Sequence, residues 1–204
     1  FYTDSNGHKE ENPRFLRKAE KQTKKLQRRV SKKVKGSNNR RKAVKRLAKK
    51  HLRIQRQRRD HAIKLARCVI QSADLVAYED LRIRNMVKNH SLAKSISDAS
   101  WYQFRTWLEY FGKVFGRITV AVPPQYTSQA CSECGCKVEK TLSTRTHECP
   151  HCGYVADRDE NAARNILTAG VMRDDAYGKW ESRTADRAEA ADTSTAPASI
   201  RART

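Results

Sequence analysis

The sequence has no apolar run long enough to cross a membrane, and no segment of it resembles a secretory signal. These absences argue against a membrane partner, and we expect a reduced, cytoplasmic location. Acidic residues are also scarce, because 22 Asp and Glu stand against 43 Lys and Arg, for a formal net charge of +21. With 38% hydrophobic residues, the chain predicts a modest core inside a strongly basic shell.

The basic residues are concentrated between Arg14 and Arg67, where 24 Lys or Arg face only Glu20 and Asp60. Apolar residues recur at helical spacing over residues 14–35 and 40–71, and the turn-forming residues 36–39 separate the two stretches. This pattern predicts an antiparallel helical hairpin. Opposite charges at i,i+4 are nearly absent, so like charges repel along each helix.

A polyanion relieves this repulsion, and nucleic acid is the polyanion we expect. A solvated helix face is the alternative for the charge run. A membrane surface or an acidic protein also matches the charge, but neither explains the cysteines. The predicted nucleic-acid contacts are Arg28, Arg29, Lys32, Arg40, Arg41, Lys45, Arg53 and Arg56.

Four of the six cysteines form two C-x2-C pairs with fourteen residues between them, which is the spacing of a tetrahedral zinc site and not of a disulfide scaffold. Two short turns of this kind each present a pair of thiolates to one ion. The predicted ligands of a structural Zn²⁺ are Cys131, Cys134, Cys149 and Cys152. Ordinary thiols are the alternative. The spare donors Cys136, His147 and His151 have a less suitable spacing.

Two carboxylates stand where a metal-dependent active site can use them. Glu79 ends a short apolar run over residues 75–78 that predicts a buried strand, and a second strand is predicted over residues 118–122. Asp159 precedes a helix predicted over residues 161–169. Paired Mg²⁺ ions need clustered acids. Alternatively, both acids are structural, since Asp157 and Asp159 also suit the first turn of a helix.

A further helix is predicted to begin at a cap formed by Ser97 and Asp98 and to run through Phe111. The aromatic residues along one face of this helix indicate a core contact, with a stacking platform for bases as the alternative. They are Trp101, Phe104 and Phe111, together with Leu108.

The chain resembles the OrfB (TnpB) proteins of bacterial transposons, which are compact relatives of type V CRISPR effectors. The resemblance covers about residues 8–170 and rests on motifs in the family's order. They are Glu11-Asn12-Pro13-Arg14-Phe15, Tyr78-Glu79-Asp80-Leu81, Met86-Val87-Lys88-Asn89, Ile96-Ser97-Asp98-Ala99, Tyr126-Thr127-Ser128-Gln129, the cysteines, and Asp157-Arg158-Asp159 before Asn161-Ala162-Ala163-Arg164-Asn165-Ile166-Leu167.

The resemblance implies an α/β, RuvC-like (RNase H-type) fold with a basic helical hairpin and an inserted zinc ribbon. It also implies an RNA-guided, Mg²⁺-dependent DNA endonuclease that binds guide RNA and DNA. In such a protein, Glu79 and Asp159 are catalytic metal ligands. The helical hairpin then holds guide RNA or the heteroduplex by its backbone.

The sequence departs from the family pattern at its amino terminus. The family's first RuvC motif, a Gly-Ile-Asp-Leu-Gly-like strand, has no counterpart in residues 1–10, and Asp4 lies in a polar turn. We therefore expect a carboxyl-terminal portion, lacking the first strands of the fold, that binds nucleic acid and zinc but does not cleave DNA alone. A non-enzymatic zinc-ribbon binding module is the alternative, and an unstable fold with an exposed sheet edge is a third.

The expected segments follow from these assignments. They are a loop or sheet remnant (1–13), the basic hairpin (14–71), a RuvC-like core (72–125), the zinc ribbon (126–155), a last RuvC-like helix (156–170) and a disordered tail (171–204).

Overall fold

The computed structural model describes residues 1–141 and 143–172. This part of the chain contains six helices and six strands. The strands are β1 (Tyr2–Thr3), β2 (Lys9–Glu10), β3 (Leu75–Glu79), β4 (Ile118–Val122), β5 (Thr146–Glu148) and β6 (Val155–Asp157). The helices are α1 (Phe15–Ser31), α2 (Asn38–Ser72), α3 (Ile83–Met86), α4 (His90–Ala99), α5 (Trp101–Val114) and α6 (Arg158–Val171).

The predicted helical hairpin is confirmed as α1 and α2, which pack against each other along the chain's most basic segment. Between them, Gly36 adopts a φ of 82°, a conformation that glycine tolerates at little cost. The side chain of Ser37 then accepts a hydrogen bond from the Arg40 N–H at 3.2 Å and so caps the start of α2.

The centre of the fold is a pair of parallel strands, β3 and β4, with Leu75 opposite Ile118 and Glu79 opposite Val122. Side chains alternate between the two faces of the pair. On one face, Ala77 and the buried valines of β4 pack against α6. On the other face, Val76 packs with Ile70 of α2 and Leu108 of α5. The result is a mixed α/β arrangement in which helices cover both faces.

A close contact sets the depth of α6 on this strand pair. Gly170 lies over Ala77, and a Cβ added at Gly170 would approach the Cβ of Ala77 to 2.6 Å. Only a residue without a side chain allows this approach. Ala77 is two residues before Glu79, so the contact lies close to the predicted carboxylate.

Residues 1–13 form a short antiparallel hairpin of β1 and β2 where the sequence indicated a loop or strand end. The carboxylate Oδ1 of Asp4 accepts hydrogen bonds from the N–H groups of Asn6 and His8, each at 2.9 Å. Asp4 therefore holds a polar turn, as its sequence context predicted. Within the described residues, no helix combines the length and apolar character that a bilayer crossing requires.

The prediction that Ser97 and Asp98 cap a helix running through Phe111 is wrong. Both residues lie inside α4. This helix ends before Ser100, which adopts the left-handed conformation with a φ of 58°, and α5 begins at Trp101. The carboxylate of Asp98 instead binds the N–H groups of Leu16 and Arg17, at 2.8 and 3.2 Å. Asp98 thus caps α1 from a different helix, because α1 has no side-chain cap of its own.

The predicted core role of the α5 face is confirmed. Leu108 is 3% exposed, and Phe104 and Phe111 pack beside it. The indole N–H of Trp101 donates to the carbonyl oxygen of Phe1 at 3.1 Å. Of the predicted tail, residues 173–204 lie outside the described residues.

Candidate metal and nucleic-acid sites

The four predicted zinc ligands, called the quartet from here on, come together in space. They are Cys131, Cys134, Cys149 and Cys152, and their ligand atoms all lie within 4.8 Å of one another. The Sγ atoms of Cys131 and Cys152 are 3.7 Å apart, and those of Cys134 and Cys149 are 3.5 Å apart. Four sulfurs at about 2.3 Å from a tetrahedral Zn²⁺ would be about 3.8 Å apart. The quartet can therefore hold a metal ion and has the size that zinc requires.

Two turns of matching geometry hold the quartet. The N–H of Gly135 donates to the carbonyl of Cys131, and the N–H of Gly153 donates to that of Cys149, each at 2.9 Å. Both glycines have positive φ, 75° and 74°, which explains their position directly after the second cysteine of each pair. The short hairpin of β5 and β6 supports the second turn.

The state of the Cys149 thiol favours metal binding. Burial raises its pKa, but hydrogen bonds from the backbone N–H groups of Cys152 and His151 more than offset this effect and lower the pKa below the usual value for a thiol. The pKa of Cys152 shifts the opposite way: the Tyr154 N–H lowers it, but burial and contacts with the other three sulfurs raise it. The thiolate is the form that binds metal, so the lowered pKa of Cys149 favours binding.

The spare donors named from the sequence lie outside the quartet. Cys136 and His151 are not among the clustered ligand atoms. His147 is fully buried and is contacted through Nδ1 by the Lys140 ammonium. The desolvation of His147, together with the positive charge of Lys140, lowers its pKa and keeps the ring neutral. These residues support the turn region without joining the quartet.

Glu79 is the last residue of β3 and is partly buried on the side of the strand that faces α6. Its Oε1 accepts a hydrogen bond from the hydroxyl of Thr127 at 2.8 Å. The same hydroxyl lies 3.3 Å from the carbonyl oxygen of Pro124. Thr127 was part of a sequence motif, but no sequence signal pointed to its contact with Glu79.

Asp159 lies in the first turn of α6, and its side chain is 50% exposed. The Arg158 guanidinium donates to its Oδ1 from Nε and Nη2, each at 3.1 Å. The neighbouring Asp157 has a separate role, because its Oδ1 caps α6 by accepting from the N–H of Asp159 at 2.9 Å. Asp157 also pairs with Lys9 at 2.6 Å, and this hydrogen bond lowers the pKa of Asp157.

Residues 127–132, called the clamp segment from here on, contact both Glu79 and α6, the helix whose first turn contains Asp159. Thr127 contacts Glu79 at one end of the segment, and α6 binds the segment through two asparagines. Asn165 Nδ2 donates to the carbonyls of Thr127 and Ala130, each at 2.8 Å. In residues 1–141 and 143–172, the quartet is the one group of three or more metal-ligating side chains that cluster within ligand distance.

The predicted nucleic-acid contacts follow the surface of the basic hairpin. All except Arg40 are exposed. The exposed members on α2 are separated by three, four or eight residues, so they fall within an arc of about 120° at 100° per residue. They are Arg41, Lys45, Arg53 and Arg56 on α2, with Arg28 and Arg29 in the last turn of α1 and Lys32 at its C-cap.

Arg40 is placed differently from the other predicted contacts. It is partly buried, and its Nη1 lies 3.5 Å from the carbonyl oxygens of Val30 and Lys33. A guanidinium near the last carbonyls of a helix stabilises that end. Arg40 therefore helps to close the turn between α1 and α2.

The chain has helices on both faces of a parallel strand pair and a four-cysteine cluster between β4 and α6 that can hold a metal ion. Comparison with known proteins identifies the class of protein that has this arrangement. A family model described as "Probable transposase" (OrfB_IS605) matches residues 1–90, and one described as "Cas12f1-like, TNB domain" matches residues 101–166. The chain belongs to the OrfB/TnpB family of transposon proteins.

Individual relatives agree with this assignment. A putative RNA-guided DNA endonuclease of Streptomyces pristinaespiralis is 43% identical over 171 residues, covering 83% of this chain and 42% of the relative. The putative RNA-guided DNA endonuclease InsQ of Escherichia coli (strain K12) is 37% identical over 171 residues, covering 76% of this chain and 42% of the relative. The chain thus spans about two fifths of the length of these relatives.

The fold comparison points the same way. A chain in a cryo-EM structure of a Cas12f1–sgRNA–target DNA complex superposes with a TM-score of 0.50 at 21% sequence identity, covering 74% of this chain and 41% of that chain. At this identity the match concerns the fold alone. It supports a mixed α/β fold of the Cas12f1 kind for the described residues.

Proposed function

We propose that this chain is the portion of an RNA-guided, Mg²⁺-dependent DNA endonuclease that carries two metal-binding carboxylates and a structural zinc ribbon. The observation that carries the proposal is the position of the clamp segment. It leads from β4 to the quartet, contacts Glu79 through Thr127 and is bound to α6 through Asn161 and Asn165, in the helix whose first turn contains Asp159. The relatives described as RNA-guided DNA endonucleases support the reaction type.

In this proposal, the strand pair and α6 form part of a RuvC-like fold with the zinc ribbon inserted before the last helix. Zn²⁺ bound by four thiolates leaves no open position for substrate, so it holds the ribbon together and does no chemistry. The quartet fixes the clamp segment, and the clamp segment fixes the hydroxyl that binds Glu79. The ribbon is in this way a support for the carboxylate site.

The proposed catalytic role of the acids is to hold divalent cations against a phosphodiester. When bound, Mg²⁺ would polarise the phosphate and activate water. Glu79 offers a carboxylate with one oxygen already oriented by Thr127. Asp159 is exposed at the start of a helix, where it can exchange the Arg158 guanidinium for a cation. Two acids are fewer than such sites usually assemble, so we expect no cleavage by this 204-residue chain alone.

The basic hairpin supplies the proposed surface for guide RNA and target DNA. Exposed basic side chains on one arc of α2 suit a phosphate backbone, which a protein can follow without reading its sequence. The relatives described as putative RNA-guided DNA endonucleases support nucleic-acid partners of this kind.

A second candidate is a non-enzymatic nucleic-acid-binding module with a zinc ribbon. It is favoured by the present pairing of Asp159 with Arg158, because a carboxylate that is satisfied by an arginine need not bind metal. In this reading, Glu79 and Asp159 are structural residues, and the basic hairpin remains the binding surface.

Calorimetric titration with Mn²⁺ separates the two candidates. The nuclease reading predicts a Mn²⁺ site that Glu79→Gln and Asp159→Asn each weaken, while the exposed control Asp60→Asn leaves it unchanged. The absence of such a site would favour the binding module. Mg²⁺-dependent DNA cleavage that Glu79→Ala abolishes would contradict the expected inactivity of the isolated chain and would support the nuclease reading.

A further inference from the structure

The contact between Thr127 and Glu79 joins two sites that lie far apart in sequence. Thr127 is 9% exposed, and its hydroxyl is 2.8 Å from Oε1 of Glu79. An ionised carboxylate accepts hydrogen bonds only, so the hydroxyl must be the donor. With Oε1 held in this way, Oε2 and the remaining lone pairs of the carboxylate stay available to a cation.

The backbone around Thr127 is also fixed by hydrogen bonds, from two asparagines of α6. Asn165 binds the carbonyls of Thr127 and Ala130 through Nδ2. Asn161 is fully buried, and its Nδ2 donates to the Ala130 carbonyl at 2.7 Å. Its Oδ1 accepts from the N–H of Ser132 at 3.0 Å. Both the amide nitrogen and the amide oxygen of the Asn161 side chain thus form hydrogen bonds with the clamp segment.

The clamp segment contains the first member of the quartet. Cys131 is 1% exposed and lies between Ala130 and Ser132, the two residues that Asn161 binds. Its N–H donates to the carbonyl of Cys136 at 2.9 Å, which fixes the first cysteine turn. A continuous path of short contacts therefore runs from the quartet through Cys131 and Thr127 to Glu79.

We propose that Thr127 is a positioning residue that orients Glu79 for divalent-cation binding, and that occupancy of the quartet by zinc sets this orientation. The proposal rests on the carboxylate metal site of the proposed function. Zinc is then a remote determinant of a second metal site. The coupling is reciprocal, because two sites linked by one conformational element must affect each other's affinity equally.

The test is the affinity for Mn²⁺ of the zinc-loaded 204-residue chain, measured from the electron paramagnetic resonance signal of free Mn²⁺. Thr127→Val keeps the shape of the side chain and removes the donor, whereas Thr127→Ser keeps the donor. Removing a partner that orients a metal ligand typically weakens metal affinity by about 10–100-fold. We expect this loss in Thr127→Val and near-normal affinity in Thr127→Ser.

The matched control is Thr106→Val, since Thr106 donates to the Tyr102 carbonyl within α5 and has no contact with Glu79. It should leave Mn²⁺ affinity unchanged. Zinc content and the thermal midpoint are measured for every variant. Normal Mn²⁺ affinity in zinc-loaded Thr127→Val would overturn the positioning role and leave the proposed function intact. If the parent chain has no Mn²⁺ site that depends on Glu79, the proposed function fails and the positioning role falls with it.

The link to zinc has its own measurement. Cys134→Ser removes one thiolate of the quartet without touching the clamp segment. We expect it to weaken Mn²⁺ binding, and the double variant with Thr127→Val should lose no more than the larger single effect, because both changes act on one path. Parent-like Mn²⁺ affinity in Cys134→Ser, or fully additive losses, would refute control by the quartet. The Cys134→Ser arm remains decisive if Thr127→Val does not fold.

Discussion

The Arg58 guanidinium donates two hydrogen bonds to Oδ1 of Asp98, from Nε at 3.1 Å and from Nη2 at 2.9 Å. The Asp98 side chain is only 1% exposed, and its two oxygens also cap the start of α1. One carboxylate of α4 therefore holds α1 and α2 together. Most of the hairpin surface repels itself electrostatically, so this buried contact gives the two basic helices a fixed arrangement.

Replacing Asp98 should therefore destabilise the chain strongly. Removing one partner of a buried ion pair costs about 3–5 kcal/mol, because the other charge stays buried without a partner. We expect Asp98→Ala to lower the free energy of unfolding by about 3 kcal/mol in urea denaturation followed by circular dichroism. Asp98→Asn, which keeps an acceptor for the α1 amides, should cost less.

The control for this prediction is Asp60→Asn. Asp60 forms an exposed i,i+4 pair with Lys64 at 2.8 Å, and pairs of this kind contribute about 0.3–0.5 kcal/mol. Equal losses in the two aspartate variants would show that Asp98 acts as an ordinary surface residue.

Zinc should bind to the quartet with one ion per chain. We expect Cys134→Ser to lose the metal and to lower the thermal midpoint, because the substitution removes one of the four sulfur ligands that would hold the ion. Cys136→Ser and Cys68→Ser should keep the metal, since neither thiol belongs to the quartet. Metal content by inductively coupled plasma mass spectrometry gives the answer, and zinc loss in Cys136→Ser would mean that the ligand set is different.

Binding of the chain to single-stranded or duplex nucleic acid should weaken steeply with salt. Each phosphate contact contributes about one unit to the slope of log affinity against log salt, so Arg41→Ala and Lys45→Ala should each reduce that slope by about one. The measurement is fluorescence anisotropy over a salt series. Lys113→Ala removes the same charge from α5, outside the hairpin, and should leave the slope unchanged.

Glu20 of α1 forms ion pairs with Lys24 of the same helix and with Lys94 of α4. These ion pairs predict a contribution to stability that depends on pH. Hydrogen bonds from the two ammonium groups lower the pKa of Glu20 from 4.5 to about 2. A carboxyl group with a lowered pKa in the folded state stabilises the fold above its unfolded pKa, and this contribution is lost as the pH falls through the folded value. The stability difference between the parent and Glu20→Gln should therefore be constant above pH 5 and shrink toward pH 2.

The check is a comparison of urea midpoints for the two proteins at several pH values. Other carboxylates titrate in the same range, but they are shared by both proteins and cancel in the difference. A difference that stays constant down to the lowest pH would show that Glu20 is not held by its lysines in solution.

Much of this fold was readable from local sequence patterns. The strand over residues 118–122 and the long basic helices were confirmed, because each depends on a periodicity within a single element. The quartet was also predicted, since the spacing of its two pairs describes a turn geometry that needs no distant partner. Gly135 and Gly153 then adopt the positive φ values that such turns favour.

What the sequence did not reveal are contacts between residues that are far apart in the chain. Ser97 and Asp98 have the composition of a helix cap, but Asp98 caps a helix 82 residues earlier. The Thr127 hydroxyl binds a carboxylate 48 residues away. Neither pairing can be recognised from the neighbouring sequence, because the residues around a polar side chain are the same whichever distant partner it contacts.

The contact of Gly170 with Ala77 has a consequence at the opposite end of α6. Asp159 and Gly170 are eleven residues apart, so about 16 Å of helix at 1.5 Å per residue separates them. A side chain at position 170 would lift that end of α6 from β3, and a helix tilts as a rod, so the first turn would tilt as well. The orientation of the exposed Asp159 carboxylate thus depends on Gly170, although the two residues are not in contact. A single methyl group at position 170 would be enough to change that orientation.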